Sequence, residues 1–183
     1  MRDLFLAAAV GLVCVGCQPF TTAPPAAAPE AVEQLQPAVA PAGPYPVAYV
    51  IDGDTIAVIT DPGADPVRVR LIGLDSPEDT QTLECFGPEA TARTTELLAA
   101  ISVWLETDPS QGEVDKYGCT PAFVWTGPDG GTLVNAELIA GGFAHEYTYD
   151  QPRRYQQQFQ ARENTARTTG VGLWSADTCD GGP

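Results

Sequence analysis

Positive charge is scarce in this chain. Its 183 residues carry nine Lys and Arg against 24 Asp and Glu, a net charge of −15, and Lys116 is the only lysine. Affinity for nucleic acid comes largely from phosphates neutralised by Lys and Arg. The composition therefore excludes binding through a broad basic surface, and long-range steering toward a polyanion is repulsive at low salt. We read the charge as an acidic surface that favours solubility. Histidine is equally sparse: His145 stands alone. Nothing in the sequence links it to a cysteine, so a histidine-activated cysteine nucleophile has no support. Apolar runs of membrane-spanning length are missing as well. Leu4 to Val15, after Arg2, is too short to cross a bilayer.

That short run suits the core of a signal peptide. It ends in Cys14-Val15-Gly16-Cys17, which resembles a bacterial lipobox, in which the final cysteine is lipidated after cleavage; Cys14 stands where leucine is usual. The expectation is a lipoprotein-type signal peptide over residues 1–16 and lipidation at Cys17. Attachment to the membrane is then through a lipid anchor rather than a transmembrane helix, with export to the cell envelope, or secretion if the anchor is not added. Residues 17–43, rich in Pro and Ala without periodicity, bury too little apolar surface to offset their ordering entropy and read as a disordered tether. A folded domain is expected over residues 44–183. Export permits disulfides. Setting aside Cys14 and Cys17 leaves Cys85, Cys119 and Cys179, an odd number, so one thiol stays free or pairs outside the chain.

Within the domain, Ala48 to Ile59 holds two strand-like runs flanking Asp52-Gly53, a hairpin-type dipeptide. Val67 to Leu74 predicts a strand with Val67, Val69 and Leu71 on one face and Arg68 and Arg70 on the other. Gly87-Pro88-Glu89-Ala90 opens a helix that runs to about Ala99, since proline suits a first turn and Glu89 the positive end of the dipole. Val103 to Glu106 and Ala122 to Thr126 predict two further strands, and Val134 to Ile139 a short helix. The last helix is expected from about Pro152 to Thr169, with Tyr155, Phe159 and Ala166 in one buried stripe. Arg153, Arg154, Arg162 and Arg167 read as its solvated charges.

Three motifs carry chemistry: Ile51-Asp52-Gly53-Asp54-Thr55, then Arg70-Leu71-Ile72-Gly73-Leu74-Asp75-Ser76-Pro77-Glu78, then Asp115-Lys116-Tyr117-Gly118-Cys119. In that order and at those spacings the chain resembles the staphylococcal nuclease (thermonuclease) family, from about Tyr45 to Trp174. The resemblance implies an α+β, mainly β fold: a five-stranded OB-type barrel with about three helices, acting as a monomer. It further implies Ca²⁺-dependent hydrolysis of DNA or RNA phosphodiesters, cut at the 5′ P–O bond to leave 3′-phosphates. By the same resemblance Asp54, Asp75 and the Ser76 carbonyl hold the Ca²⁺. The family usually has threonine at position 76, and serine keeps both the carbonyl and the hydroxyl. Oxygen ligands of this kind are what calcium prefers. Glu78 is the implied general base, a carboxylate able to deprotonate and aim a water. Arg70 is the implied phosphate clamp, its two parallel donors matching two phosphate oxygens. Lys116 and Tyr117 resemble residues near the nucleotide. Exported relatives carry cysteines that make Cys85–Cys179 the implied bridge, ahead of Cys85–Cys119.

Cys119 departs from the pattern, because the family's third motif ends in an arginine that grips the same phosphate. Loss of one preorganised donor of that kind removes about 10²–10³ in rate. Three accounts stand open: another arginine, Arg68 or one from the last helix, reaches the site; binding persists while catalysis is feeble; or the cysteine serves redox control or a disulfide. The alternative to a working nuclease is therefore an OB-fold module of the cell envelope that binds nucleic acid or another ligand with little or no hydrolysis.

Overall fold

The alternation at Val67, Val69 and Leu71 does what a period of two requires. Val69 and Leu71 are buried while Arg68 is exposed on the opposite face. The computed structural model describes residues 34–80, 82–149 and 151–182. In chain order the elements are β1 (Ala42–Val50), β2 (Thr55–Val58), β3 (Val67–Leu71), β4 (Leu74–Asp75), α1 (Gly87–Leu97), β5 (Ser102–Glu106), β6 (Thr120–Gly127), β7 (Gly130–Leu133), α2 (Val134–Ala140), β8 (His145–Glu146) and α3 (Gln156–Thr169). Strands β1, β2, β3, β5 and β6 form a closed barrel with three helices around it, an OB-like α+β fold. All its neighbours are antiparallel except one. The exception is the seam, where β3 and β6 run parallel with Val69 opposite Thr120 and Leu71 opposite Ala122.

A buried side chain from α2 fastens that seam. The Asn135 amide donates to the Ile72 carbonyl at 2.9 Å, and its Oδ1 accepts the Val124 N–H at 2.9 Å. Ile56, Val69, Leu71, Phe123, Trp125, Leu138, Ile139 and Phe159 fill the interior. Four rings meet near its centre, with Phe123 edge-on to both Tyr155 and Phe159 and Trp125 edge-on to Tyr155. Among the described residues no helix is long and apolar enough to cross a membrane.

The structure corrects four local expectations. Val67 to Leu74 is not one strand: Gly73 takes φ +85°, the chain turns there, and β4 follows. Residues 34–43, assigned to the tether by composition, pack on the barrel. Leu35 is buried in the core, and the Ala38 N–H donates to Glu106 Oε1 at 3.1 Å. Buried acceptors thus order a segment whose own side chains give it little reason to fold. The last helix begins at Gln156 rather than Pro152, because Tyr155 sits in the left-handed region as its N-cap. Arg167 is half exposed, as a solvated helix charge should be, but Arg153 and Arg154 lie before the helix and are not solvated charges on it. The Arg153 side chain is almost wholly buried and pairs with Glu146, while Arg154 pairs with Glu106 at 2.9 Å. The signal peptide, Cys17 and the tether up to residue 33 lie outside the described residues.

Candidate active site

Two of the motifs converge on one corner of the barrel. The turn between β1 and β2 carries Asp52, Gly53 and Asp54; the end of β4 and the residue after it deliver Asp75 and Ser76. Their main chains approach so closely that a Cβ at Gly53 would collide with Ser76 and Ala90. From α1, the Thr94 hydroxyl donates to the Gly53 carbonyl at 2.7 Å and braces the turn. Asp54, 2% exposed, accepts the Ser76 N–H at 3.1 Å and the Thr55 hydroxyl at 2.9 Å. Asp75 is more open and holds its place by pairing with His145 across β4 and β8.

Arg70 lies between these carboxylates and an open groove. Its Nη2 donates to Asp54 Oδ2 at 2.7 Å and to Asp75 Oδ1 at 2.9 Å, while its buried Nε has no partner. Burial, with Asp52 adding to it, pushes the Asp54 carboxyl up to about 8 against the opposing pull of Arg70. Three carboxyl groups thus gather at one guanidinium, and a hard cation bound there would favour the charged form of Asp54. Asp54, Asp75 and the Ser76 carbonyl supply the oxygen donors calcium accepts, with water for the remainder. Among the described residues no three His, Cys, Asp or Glu side chains form a metal cage, so such an ion would depend on carbonyl and water ligands.

On the far side of Arg70 the groove, about 470 Å³, is bounded by Gly73, Gln111, Lys116, Tyr117, Pro121 and Tyr149. Asp115 builds the turn that presents two of these. Its Oδ1 accepts the N–H groups of Tyr117 and Cys119, each at 2.8 Å. Tyr117 is 64% exposed, and the Lys116 ammonium lies 4.9 Å from its ring centroid. Arg70 and Lys116 are the cations lining the groove among the described residues.

Glu78 follows Pro77 on an exposed loop. Its carboxylate accepts from the Thr80 hydroxyl at 3.4 Å, its hydrogen-bond partner among the described residues. It does not line the groove. Cys119 is 3% exposed and also outside the groove lining, which passes from Tyr117 to Pro121. Burial pushes its thiol up, with Asp115 adding to the effect, so it is neutral at physiological pH. Cys85 and Cys179 are joined, and Cys119 is the free thiol among the described residues. Arg68 is exposed on the same face as Arg70 but does not line the groove. Arg153, Arg154 and Arg167 of the last helix region are engaged with Glu146, Glu106 and Glu163. No second arginine therefore takes the place left by Cys119 among the described groove residues.

Sequence reasoning missed Tyr149, whose hydroxyl burial pushes up and the Arg70 charge pulls down. It also missed Tyr147, which meets the Tyr149 ring edge-on with centroids 4.6 Å apart. Their spacing of two was the available signal, but two tyrosines so spaced read equally well as an ordinary strand.

The model for the staphylococcal nuclease homologues matches residues 68–176. The chain is similar to the thermonuclease of Staphylococcus hyicus, 34% identical over 134 residues that span 72% of this chain and 75% of the relative. Similarity to the thermonuclease of Staphylococcus intermedius is comparable, 35% over 133 residues, covering 71% and 75% of the two chains. Endonuclease YncB of Bacillus subtilis (strain 168) is 34% identical over 129 residues, 68% of this chain and 58% of the relative.

Proposed function

From the premise that this chain belongs to the staphylococcal nuclease homologues and is a nuclease, we propose that it is an exported, calcium-dependent phosphodiesterase of DNA or RNA whose rate is lowered by Cys119. The observation that carries the reading is the convergence of Asp54 and Asp75 on Arg70, with Ser76 bonded to Asp54, at a guanidinium that also lines the groove. The part of the guanidinium that lines the groove is open to a phosphate oxygen, the Arg70 side chain being 20% exposed. Lys116, Tyr117 and Tyr149 line the path of the adjoining sugar and base. Glu78, exposed on the loop after Pro77, takes the proton from the attacking water. Calcium, when bound by Asp54, Asp75 and the Ser76 carbonyl, supplies a fixed positive charge against the phosphate oxygens. The bond broken is 5′ P–O, leaving a 3′-phosphate. Export through a lipoprotein-type signal, with an anchor at Cys17 and a monomeric enzyme beyond it, completes the proposal.

Cys119 supplies no cation, and as a neutral thiol it is a weak donor. Burial and distance from the groove lining favour a silent role for it, leaving Arg70 as the groove's one arginine. The decisive experiment assays the full chain on single-stranded DNA with calcium or EGTA, beside Glu78→Ala and Cys119→Arg. We expect wild-type hydrolysis that EGTA abolishes, a fall of about 10²–10⁴ in Glu78→Ala, and a melting temperature for that variant within a few degrees of wild type. Cys119→Arg should be faster than wild type. Nucleotide binding without product from any of the three proteins would sink the hydrolytic reading and leave the binding module.

A further inference from the structure

Glu78 owes its position to its main chain rather than to its side chain. The Glu78 N–H donates to Glu84 Oε2 at 2.9 Å, and the Glu84 N–H returns a bond to the Glu78 carbonyl at 2.9 Å. The Gly87 N–H then donates to the Glu84 carbonyl at 3.2 Å. Gly87 approaches so closely that a Cβ would collide with the Glu78 carbonyl. Glu84 therefore closes a clamp on the Glu78 backbone.

Apart from Phe86, which stacks on Phe143 with ring centroids 5.5 Å apart, little else holds this loop. Between Pro77 and Gly87 no described residue is buried, and Leu83 is 72% exposed. A segment without burial opens at low free energy unless its ends are fixed. Here the fixing is covalent. Cys85, next to Glu84, is bonded to Cys179 across 94 residues. Cys179 packs with Ala166, Leu173, Trp174 and Phe86 in an apolar cluster separate from the barrel core.

We infer that Glu84 and the Cys85–Cys179 bridge are positioning groups for Glu78, and that hydrolysis is gated by the redox state of this bridge. The inference rests on Glu78 being the base. Cys85 is exposed, so a dithiol reaches the bond. Its thiolate attacks one sulfur, the S–S bond breaks and a mixed disulfide forms. The reductant's second thiol then closes on the first. Cys85 and Cys179 leave as thiols, and the reductant, oxidised by two electrons, leaves as a cyclic disulfide. With the tether gone the clamp loosens, and a displacement of about 1 Å at a catalytic group removes on the order of 10²-fold in rate.

The test compares the full chain oxidised, reduced with dithiothreitol and reoxidised, at saturating calcium on single-stranded DNA. Glu84→Ala and Glu84→Gln are assayed with the bridge intact, and Glu78→Ala serves as reference. Reduction and Glu84→Ala should each lower kcat at least tenfold, with KM and calcium affinity unchanged within twofold. Reoxidation should restore the rate, and Glu84→Gln, which keeps an acceptor oxygen, should retain most of it. Circular dichroism at the assay temperature checks that each form is folded, and Glu84→Ala carries the test should the reduced chain unfold. Wild-type kcat in the reduced protein and in Glu84→Ala, with Glu78→Ala inactive, overturns the inference alone. KM and calcium affinity worsening in step with kcat overturns it also, as a general loosening. An active Glu78→Ala, or an inactive wild type, overturns the assignment beneath it.

Discussion

Arg70 serves two sides: its Nη2 binds Asp54 and Asp75, while the side chain also lines the groove. A lysine at this position keeps the charge but presents a single point, so it cannot serve both sides at once. Arg70→Lys should therefore lower kcat on the order of 10²-fold, read from initial rates on single-stranded DNA at saturating calcium. Cys119 predicts the opposite sensitivity. Its thiol is buried, neutral and outside the groove lining, so Cys119→Ser should change kcat by less than about twofold, as befits a group with no part in charge stabilisation. A large loss in that variant would mean the thiol does chemistry that its surroundings do not support.

At the scale of elements, Glu106 at the end of β5 is where several pieces meet. Its carboxylate, fully buried, accepts from Trp125 Nε1 of β6 at 2.9 Å, from Arg154 Nη1 at 2.9 Å, and from the Ala38 and Val39 N–H groups of the N-terminal segment at 3.1 and 3.3 Å. The Tyr155 hydroxyl lies 2.9 Å from its other oxygen, and burial together with this carboxylate holds the phenol protonated well above its usual range. Glu106→Ala leaves the buried Trp125 indole N–H and the Arg154 guanidinium without their acceptor, so a loss of about 3–5 kcal/mol is expected from denaturant unfolding. Asp108 ties the entry to α3 in a similar way. Burial alone would raise its carboxyl, but the Arg154 and Ser110 N–H groups outweigh that and hold it low. Its folded-state value lies below the ordinary 3.8, so its stabilisation is present above that pH and disappears as pH falls through the lowered value. The melting-temperature gap between wild type and Asp108→Asn should therefore be constant at neutral pH and close on acidification below about pH 4.

For the molecule as a whole, the governing fact is a net charge of −15 beside a groove whose described cations are Arg70 and Lys116. Two phosphate contacts give a counterion-release slope no steeper than roughly −2 in log K against log salt. Long-range repulsion acts the other way, because salt screens it over a Debye length of about 10 Å at 0.1 M. Raising ionic strength from about 0.01 to 0.1 M at fixed free calcium should therefore increase kcat/KM on DNA rather than reduce it. A steep fall over that range would show a basic surface doing the binding, contrary to the composition.

The sequence by itself determined the features that depend on neighbours along the chain. The period of two in Val67 to Leu71, the Asp52-Gly53 turn and the Pro88 helix start are local choices of backbone conformation. They suffice to put Asp54, Arg70, Asp75 and Ser76 at strand ends, where the four meet. Gly73 shows the limit even here, since its positive φ breaks a run whose hydrophobicity continues. Tertiary structure alone decided what distant segments do to one another. It joined Cys85 to Cys179 and left Cys119 buried as the free thiol among the described residues. It put Asn135 under the parallel seam and folded residues 34–43 onto Glu106. It also drew Arg153 and Arg154 off the surface of the last helix into ion pairs. Burial and pairing depend on which groups approach in space, and that distance is set by the closed barrel, not by any spacing readable along the chain.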